Sequence, residues 1–239
     1  MLYAKVDGVK ATASPKLVGH CFYCESKMIP KCGKIKQWHW SHSRIAICDT
    51  WTQPETEWHR NWKSIFGKDN SEIIIIQNGK KHIADVKTKN GTVIEFQNSK
   101  ISYDTVVTRE QFYGENMIWI INAINYKTNF TVKDNDFEVF DTYTPEFEKY
   151  AKINGFSTKY KPDSDIDSYL RFSWKKPPES WTASKRKVYL DFGTENLFCV
   201  ASGMGKVQGI GYEMSKIDFI KSYDGNEALA LEIFNLAKE

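Results

Sequence analysis

The chain has no run approaching the roughly 20 apolar residues that a membrane-spanning helix needs. Its opening, MLYAKVDGVKATASPK, lacks the apolar core of a secretory signal. No membrane partner is expected on either count. A general basic field is missing too: the formal net charge is only +3, so any nucleic acid must be met by a local patch. The cysteines exclude a disulfide scaffold, because they number five, an odd count, and four of them fall in the first fifth of the chain. Such crowding suits metal binding in a reducing compartment, so the expected location is cytoplasmic. There is no internal repeat and no low-complexity tract.

What is present is a core-forming composition. Apolar residues make up 41% of 239 and aromatic residues 14%, enough for one large domain or a domain with a small companion. Three segments are expected: residues 1–49 as a metal-binding extension of short strands and knuckles, 50–125 as an α/β core, and 126–239 as an accessory region. Pro54 at the first position, Glu55 and Glu57 in the first turn and Gly67 as a stop predict a helix, with Trp58, Trp62, Ile65 and Phe66 on its apolar face. Strands are predicted over Glu72–Gln77, Lys81–Thr88 and Thr92–Asn98, separated by Asn78-Gly79 and Asn90-Gly91 turns. A helix over Tyr103–Tyr113 and a buried strand over Met117–Asn122 follow. This order implies an α/β fold with a mixed sheet. Farther on, a short helix within Phe137–Gly155, a linker over Lys175–Trp181, a small β unit (Val188–Asp191, Leu197–Val200, Val207–Tyr212) and a helix over Asn226–Leu236 are expected.

Two groups of residues carry chemistry. Asp85 and Glu95 each interrupt an apolar strand, where a carboxylate is costly unless it is paired or binds a metal. Adjacent strands of one hairpin can bring them together, and Gln97 shares the face of Glu95. Oxygen donors of this kind suit Mg²⁺ or Mn²⁺. The plain alternative is two solvated strand residues paired with Lys81 or Lys87. The second group is Cys21-x-x-Cys24 with His39-x-x-His42, two close pairs across a loop, as in structural Zn²⁺ sites. His20, Cys32 and Cys48 are further candidate ligands, and free buried cysteines with surface histidines are the alternative.

The stretch Ala84-Asp85-Val86 with Val93-Ile94-Glu95-Phe96-Gln97-Asn98-Ser99 and Ile101 resembles the competence protein CoiA-like nuclease family of the PD-(D/E)XK superfamily. Gln97 stands where most members of that superfamily carry lysine, and Arg109, Tyr113 and Trp119 suit the same pattern. The resemblance extends to Glu55-Thr56-x-x-His59-x-x-x-Lys63 ahead of the sheet and to the Cys/His pairs, with Trp40 in place of the usual phenylalanine. It implies a restriction-endonuclease-like core that hydrolyses phosphodiester bonds in DNA. Asp85, Glu95 and Glu55 would hold Mg²⁺ or Mn²⁺, Gln97 would orient water or phosphate, and His59 would lie nearby. Glu57 is the fallback for Glu55, while a capping glutamate and a core-edge histidine are the bland readings. Lys81, Lys100, Arg109 and Tyr113 would meet DNA, with Lys80, Lys87 and Lys89 as further basic residues; ordinary surface lysine is the alternative. Trp174, Trp181 and the adjoining lysines could grip a single strand, with a solvated linker ahead of a core strand as the alternative. Gln97 lacks lysine's charge, which leaves room for weak activity. The resemblance's link to DNA uptake and recombination makes a non-catalytic DNA-binding recombination factor the rival reading, and a zinc-stabilised scaffold for a protein partner is a third. Recombination proteins are further expected partners; no oligomeric state is implied.

Overall fold

The computed structural model describes residues 1–44, 48–51, 55–132 and 169–236. Pro54 and the helix expected within Phe137–Gly155 lie outside them. The chain divides into two compact units, Met1–Phe96 with Ile217–Glu239, and Gln97–Lys216.

The first unit opens with five short strands: β1 (Tyr3–Val6), β2 (Val9–Thr12), β3 (Gly19–His20), β4 (Lys27–Lys31) and β5 (His39–His42). They form an antiparallel sheet in the order β2-β1-β3-β4-β5. Its core is small: Ala4, Ala13, Cys21, Met28 and Trp40. Gly19 is required there, since a Cβ would lie 2.8 Å from that of Ala4 and 3.0 Å from the Trp40 ring.

Helix α1 (Glu57–Phe66) follows. It starts three residues later than a first helical position at Pro54 requires, because Thr56 caps it and His59 closes the capping box. Glu55 therefore precedes the helix. Gly67 ends it at φ 74°, as expected. Trp62, Ile65 and Phe66 are buried and Trp58 is half-buried. Against this face lie α3 (Lys216–Ser222) and α4 (Glu227–Phe234), with the Trp62 ring 6.0 Å from Phe219 and 4.9 Å from Phe234. The last strands of the unit are β6 (Ser71–Gln77), β7 (Lys80–Lys87) and β8 (Val93–Gln97), an antiparallel meander. Asn78-Gly79 turns the first hairpin with φ of 50° and 73°, the left-handed pair that such a turn demands.

The second unit contains α2 (Tyr103–Tyr113), β9 (Met117–Asn122), β10 (Phe130–Val132), β11 (Leu170–Trp174), β12 (Lys187–Asp191), β13 (Asn196–Ser202) and β14 (Gln208–Ser215). Its strand order is β10-β11-β14-β13-β12-β9, mixed because β12 runs parallel to β9. The C-terminal strands thus do not stand apart as a small β unit; they continue the sheet that β9 begins. Gly209 and Gly211 of β14 make room for the Phe172 and Phe198 rings, which an added Cβ would approach to 2.4 Å in each case. Trp174 and Trp181, considered as a single-strand grip or part of a solvated linker, are core residues at 2% and 3% exposure. Trp174 packs on Phe130, and Trp181 packs edge-on against Trp119.

Candidate active site and metal centre

The ladder between β7 and β8 comprises Val86↔Ile94 and Lys87↔Val93. One step farther, Asp85 stands level with Glu95, and there side chains replace the backbone ladder. The Asp85 N–H donates to Glu95 Oε1 (3.2 Å), and the Phe96 N–H donates to Asp85 Oδ2 (3.0 Å). Both carboxylates therefore lie over the gap between the two strands. Glu95 is buried at 3%, and the Asp85 side chain keeps 24% of its exposure. The β6–β7 register, Ser71↔Val86 and Ile73↔Ala84, also brings Glu72 level with Asp85. Three acids thus stand abreast on three strands, an arrangement that repels itself without cations.

One cation comes from α1. Lys63 Nζ bonds Glu72 Oε1 (2.9 Å), contacts Glu55 Oε1 and lies 3.7 Å from Asp85 Oδ1. Burial alone would discharge Lys63, but the charges of Glu72 and Asp85, the Glu72 hydrogen bond and the charge of Glu95 outweigh it and raise its pKa. Burial would likewise keep Glu72 protonated. The Lys63 charge, the terminal ammonium and the hydrogen bonds from Lys63 and the Leu2 N–H lower its pKa instead. Glu72 has φ 52°, and it also accepts the N–H groups of Leu2 (2.8 Å) and Tyr3 (3.1 Å). Glu55 is held through its carbonyl by Arg60 Nη1 (2.9 Å), and its Oε2 lies 3.0 Å from the Met1 amine. Glu57, the fallback, is exposed.

His59 is buried, and its contacts are structural. Nδ1 faces Thr56 at the helix cap, and Nε2 meets the Phe96 carbonyl at 3.0 Å. A carbonyl only accepts, so Nε2 carries the proton and Nδ1 is the acceptor. The ring thereby braces β8 beside Glu95.

The second group is Cys21, Cys24, His42 and Cys48, whose ligand atoms lie within 4.8 Å of one another; among the described residues no other such cluster of cysteines, histidines and acids occurs. Cys21 follows β3, Cys24 sits in the knuckle before β4, and the Tyr23 N–H points at Cys21 Sγ (3.4 Å). His39 is not a member. On a strand, residues three apart face opposite ways, so β5 aims His42 at the cysteines and His39 at the Gln37 carbonyl (3.0 Å). Cys48 takes the fourth place, while Cys32 packs against the small core. A tetrahedral Zn²⁺ with Zn–S bonds of about 2.3 Å and a Zn–N bond of about 2.0 Å has edges of about 3.8 Å (S···S) and about 3.5 Å (S···N). Cys21 Sγ···Cys48 Sγ is 3.8 Å and Cys24 Sγ···His42 Nε2 is 3.3 Å. Burial pushes the Cys21 thiol up and, with the neighbouring Cys21 thiol, pushes Cys48 up to about 12. For Cys24, burial is outweighed by hydrogen bonds involving Ser26, His42 and Cys21, which bring it down to about 6. Three sulfurs this close do not all ionise without a cation among them, so the donor set fits Zn²⁺.

A clamp that sequence reading missed ties this group to β7. Asp49, next to Cys48, accepts His82 Nδ1–H (2.8 Å) and the Ile83 N–H (2.6 Å), and Trp51 stacks on the His82 ring. Tyr23 O–H donates to the Lys81 carbonyl (2.9 Å), and Lys81 Nζ donates to the Tyr23 carbonyl (2.7 Å). Asp85 lies two residues beyond Ile83. The one legible signal was the nearness of Asp49 to Cys48 in sequence.

Residues 76–169 match the family model of the competence protein CoiA nuclease-like domain. No curated protein and no solved structure matches. The CoiA nuclease-like region holds Asp85, Glu95 and Gln97, and it leaves out Glu55, His59, Lys63, Glu72 and the Cys3His group. Gln97 is buried, with its amide donating to the Ser99 carbonyl (2.9 Å). Of the residues expected to meet DNA, Lys100 is exposed and Lys81 is committed to Tyr23. Arg109 and Tyr113 lie on the buried face of α2, at 5% and 9% exposure. Arg109 lies over the Trp119 ring and Tyr113 packs against Phe112. In this CoiA nuclease-like region they serve the core, because α2 turns that face toward its own sheet.

Proposed function

We propose that the chain is a Mg²⁺- or Mn²⁺-dependent deoxyribonuclease of the CoiA type, acting on DNA in uptake, recombination or defence, with a structural zinc site. The observation that carries this reading is the paired crossing of Asp85 and Glu95 over the β7–β8 gap, inside the region that matches a nuclease-like family. Asp85 and Glu95 would hold a divalent ion; such an ion supplies Lewis-acid stabilisation and an activated water. Asp85 offers the open side of the site, and Glu95 the buried one. His59 sets the height of β8 through the Phe96 carbonyl. Gln97, tied to Ser99, orients its end of the strand without adding charge. Cys21, Cys24, His42 and Cys48 would hold zinc, which suits a reducing cytoplasm.

Purified protein is expected to cut plasmid and single-stranded DNA in Mn²⁺ or Mg²⁺. Asp85→Asn should lower the rate at least a hundredfold in a protein that circular dichroism shows to be folded. Equal cutting by that variant would remove Asp85 from the site. The commitment of the Gln97 amide to Ser99 also favours a second reading, a DNA-binding recombination factor without catalysis. DNA affinity that survives both EDTA and Glu95→Gln, with no cleavage, would select it.

A further inference from the structure

We infer that the β4–β5 hairpin grips single-stranded DNA, with Trp38 as a stacking surface and Lys31, Lys34 and Lys36 as phosphate contacts. The inference rests on the reading that the chain acts on DNA. It supplies a surface for that reading, since Lys81, Arg109 and Tyr113 are engaged within the protein. Residues 26–48 hold five basic residues, Lys27, Lys31, Lys34, Lys36 and Arg44, and no acid. The net charge of the whole chain is only +3, so the remainder is net acidic and this segment is a local positive patch. Lys31, Lys34, Lys36 and Arg44 are exposed, and among the described residues their side chains have no ionic or hydrogen-bonding partner. By contrast, Lys5 of β1 pairs with Glu25, and Lys10 of β2 donates to the Ser71 and Glu72 carbonyls.

The loop of the hairpin adds an aromatic surface. Lys31 pairs with His39, so residues 32–38 form that loop. Within it the Trp38 indole N–H donates to the Gly33 carbonyl (3.1 Å), which ties the loop across its width. Trp38 is 46% exposed, and with its donor satisfied the ring offers carbon to whatever meets it. Ile35, near the apex, is 94% exposed. Apolar groups left in water among unpaired lysines favour a partner with both an apolar face and a negative charge. A nucleotide has both, in its base and its phosphate. Bases in a duplex already stack on one another, so an exposed ring selects an unpaired strand. The root of the hairpin is held on two sides. Trp40 is buried and its Nε1–H donates to the Ala11 carbonyl (3.0 Å), while His42 joins the Cys21, Cys24 and Cys48 group. The loop therefore stands on a fixed base, which lowers the ordering cost of binding.

The test is fluorescence anisotropy of a labelled oligothymidine on the zinc-loaded full chain, without Mg²⁺, Mn²⁺ or chelator, so that cutting plays no part. Lys34→Gln combined with Lys36→Gln should weaken binding and flatten the slope of log K against log salt by about 1.4, the share of two phosphate contacts. Trp38→Ala should weaken binding about tenfold with the slope unchanged, and Trp38→Phe should recover most of that loss. Lys206→Gln combined with Lys221→Gln removes the same charge from exposed positions elsewhere and should leave the slope as it was. The inference is overturned if the hairpin pair behaves like this control pair or if Trp38→Ala binds like the wild type. It is overturned equally if duplex DNA binds as tightly as the single strand, or if polyglutamate displaces the probe as well as unlabelled oligothymidine does. If Trp38→Ala fails to retain zinc, Trp38→Phe and the lysine pair decide. Hairpin-dependent binding with no cleavage in Mn²⁺ would sink the catalytic reading and leave this inference standing. No DNA binding at low salt would sink both.

Discussion

At the scale of the residue, the deciding contact is the buried pair of Lys63 and Glu72. Each would be neutral if burial acted alone, and each is charged because the other is 2.9 Å away. Removing one partner of a buried pair costs about 3–5 kcal/mol when the other is left uncompensated. Lys63 keeps Glu55 and Asp85, so Glu72→Gln is expected to destabilise the chain by less than that in urea melts, whereas an exposed control such as Glu57→Gln should do almost nothing. The pH dependence has a definite sign. The pKa of Glu72 is lowered below its ordinary 4.5, so its contribution is complete above that value and is lost as pH falls through the folded one. The pKa of Lys63 is raised above 10.5, so its contribution is complete below that value and is lost as pH rises through the folded one. Stability from the pair should be flat between these limits, and Glu72→Gln should shrink the acid-side fall in a pH series of denaturation midpoints.

At the scale of the element, α1 and the loop before it hold the acidic strands in place from two directions. The helix packs Trp62 among Phe96, Phe219 and Phe234. Trp62→Ala, a large cavity at a fully buried site, should cost about 3–5 kcal/mol. The loop at Asp49 and Trp51 grips β7 through His82. His82→Ala breaks a half-buried hydrogen bond and a stacked pair, and it should cost about 1–3 kcal/mol. Because Asp49 adjoins Cys48, the same variant should release zinc to a chelator faster than the wild type; an unchanged release rate would show that the clamp does not restrain the metal loop. The elements themselves were largely legible. Asn78-Gly79, Gly67 and Gly114 announced their turns and helix ends, since left-handed backbone favours those residues. The start of α1 was misplaced, because a threonine cap with histidine at the third helical position is a weaker written signal than a proline with two glutamates.

At the scale of the whole molecule, the N-terminal sheet has too small a core to be self-sufficient: five buried residues, of which Cys21 is also one of the four metal-type ligands. Zinc binding should supply the missing stability. Stripping the metal, or Cys48→Ser, is expected to lower the melting temperature well beyond what His39→Ala does, as read by calorimetry. Equal effects of Cys48→Ser and His39→Ala would return the fourth ligand to doubt. The sequence by itself determined the local things: the order of helices and strands from α1 to β9, the hairpin that carries Asp85 and Glu95, and the presence of a Cys/His site. These follow from periodicity and turn chemistry, which act over a few residues. Only the tertiary structure decided the partnerships: Lys63 among Glu55, Glu72 and Asp85, Cys48 in place of His39, and Arg109, Tyr113, Trp174 and Trp181 in the interior. Those depend on which face of each element the core claims, and on register between strands distant in the chain, neither of which residue spacing encodes.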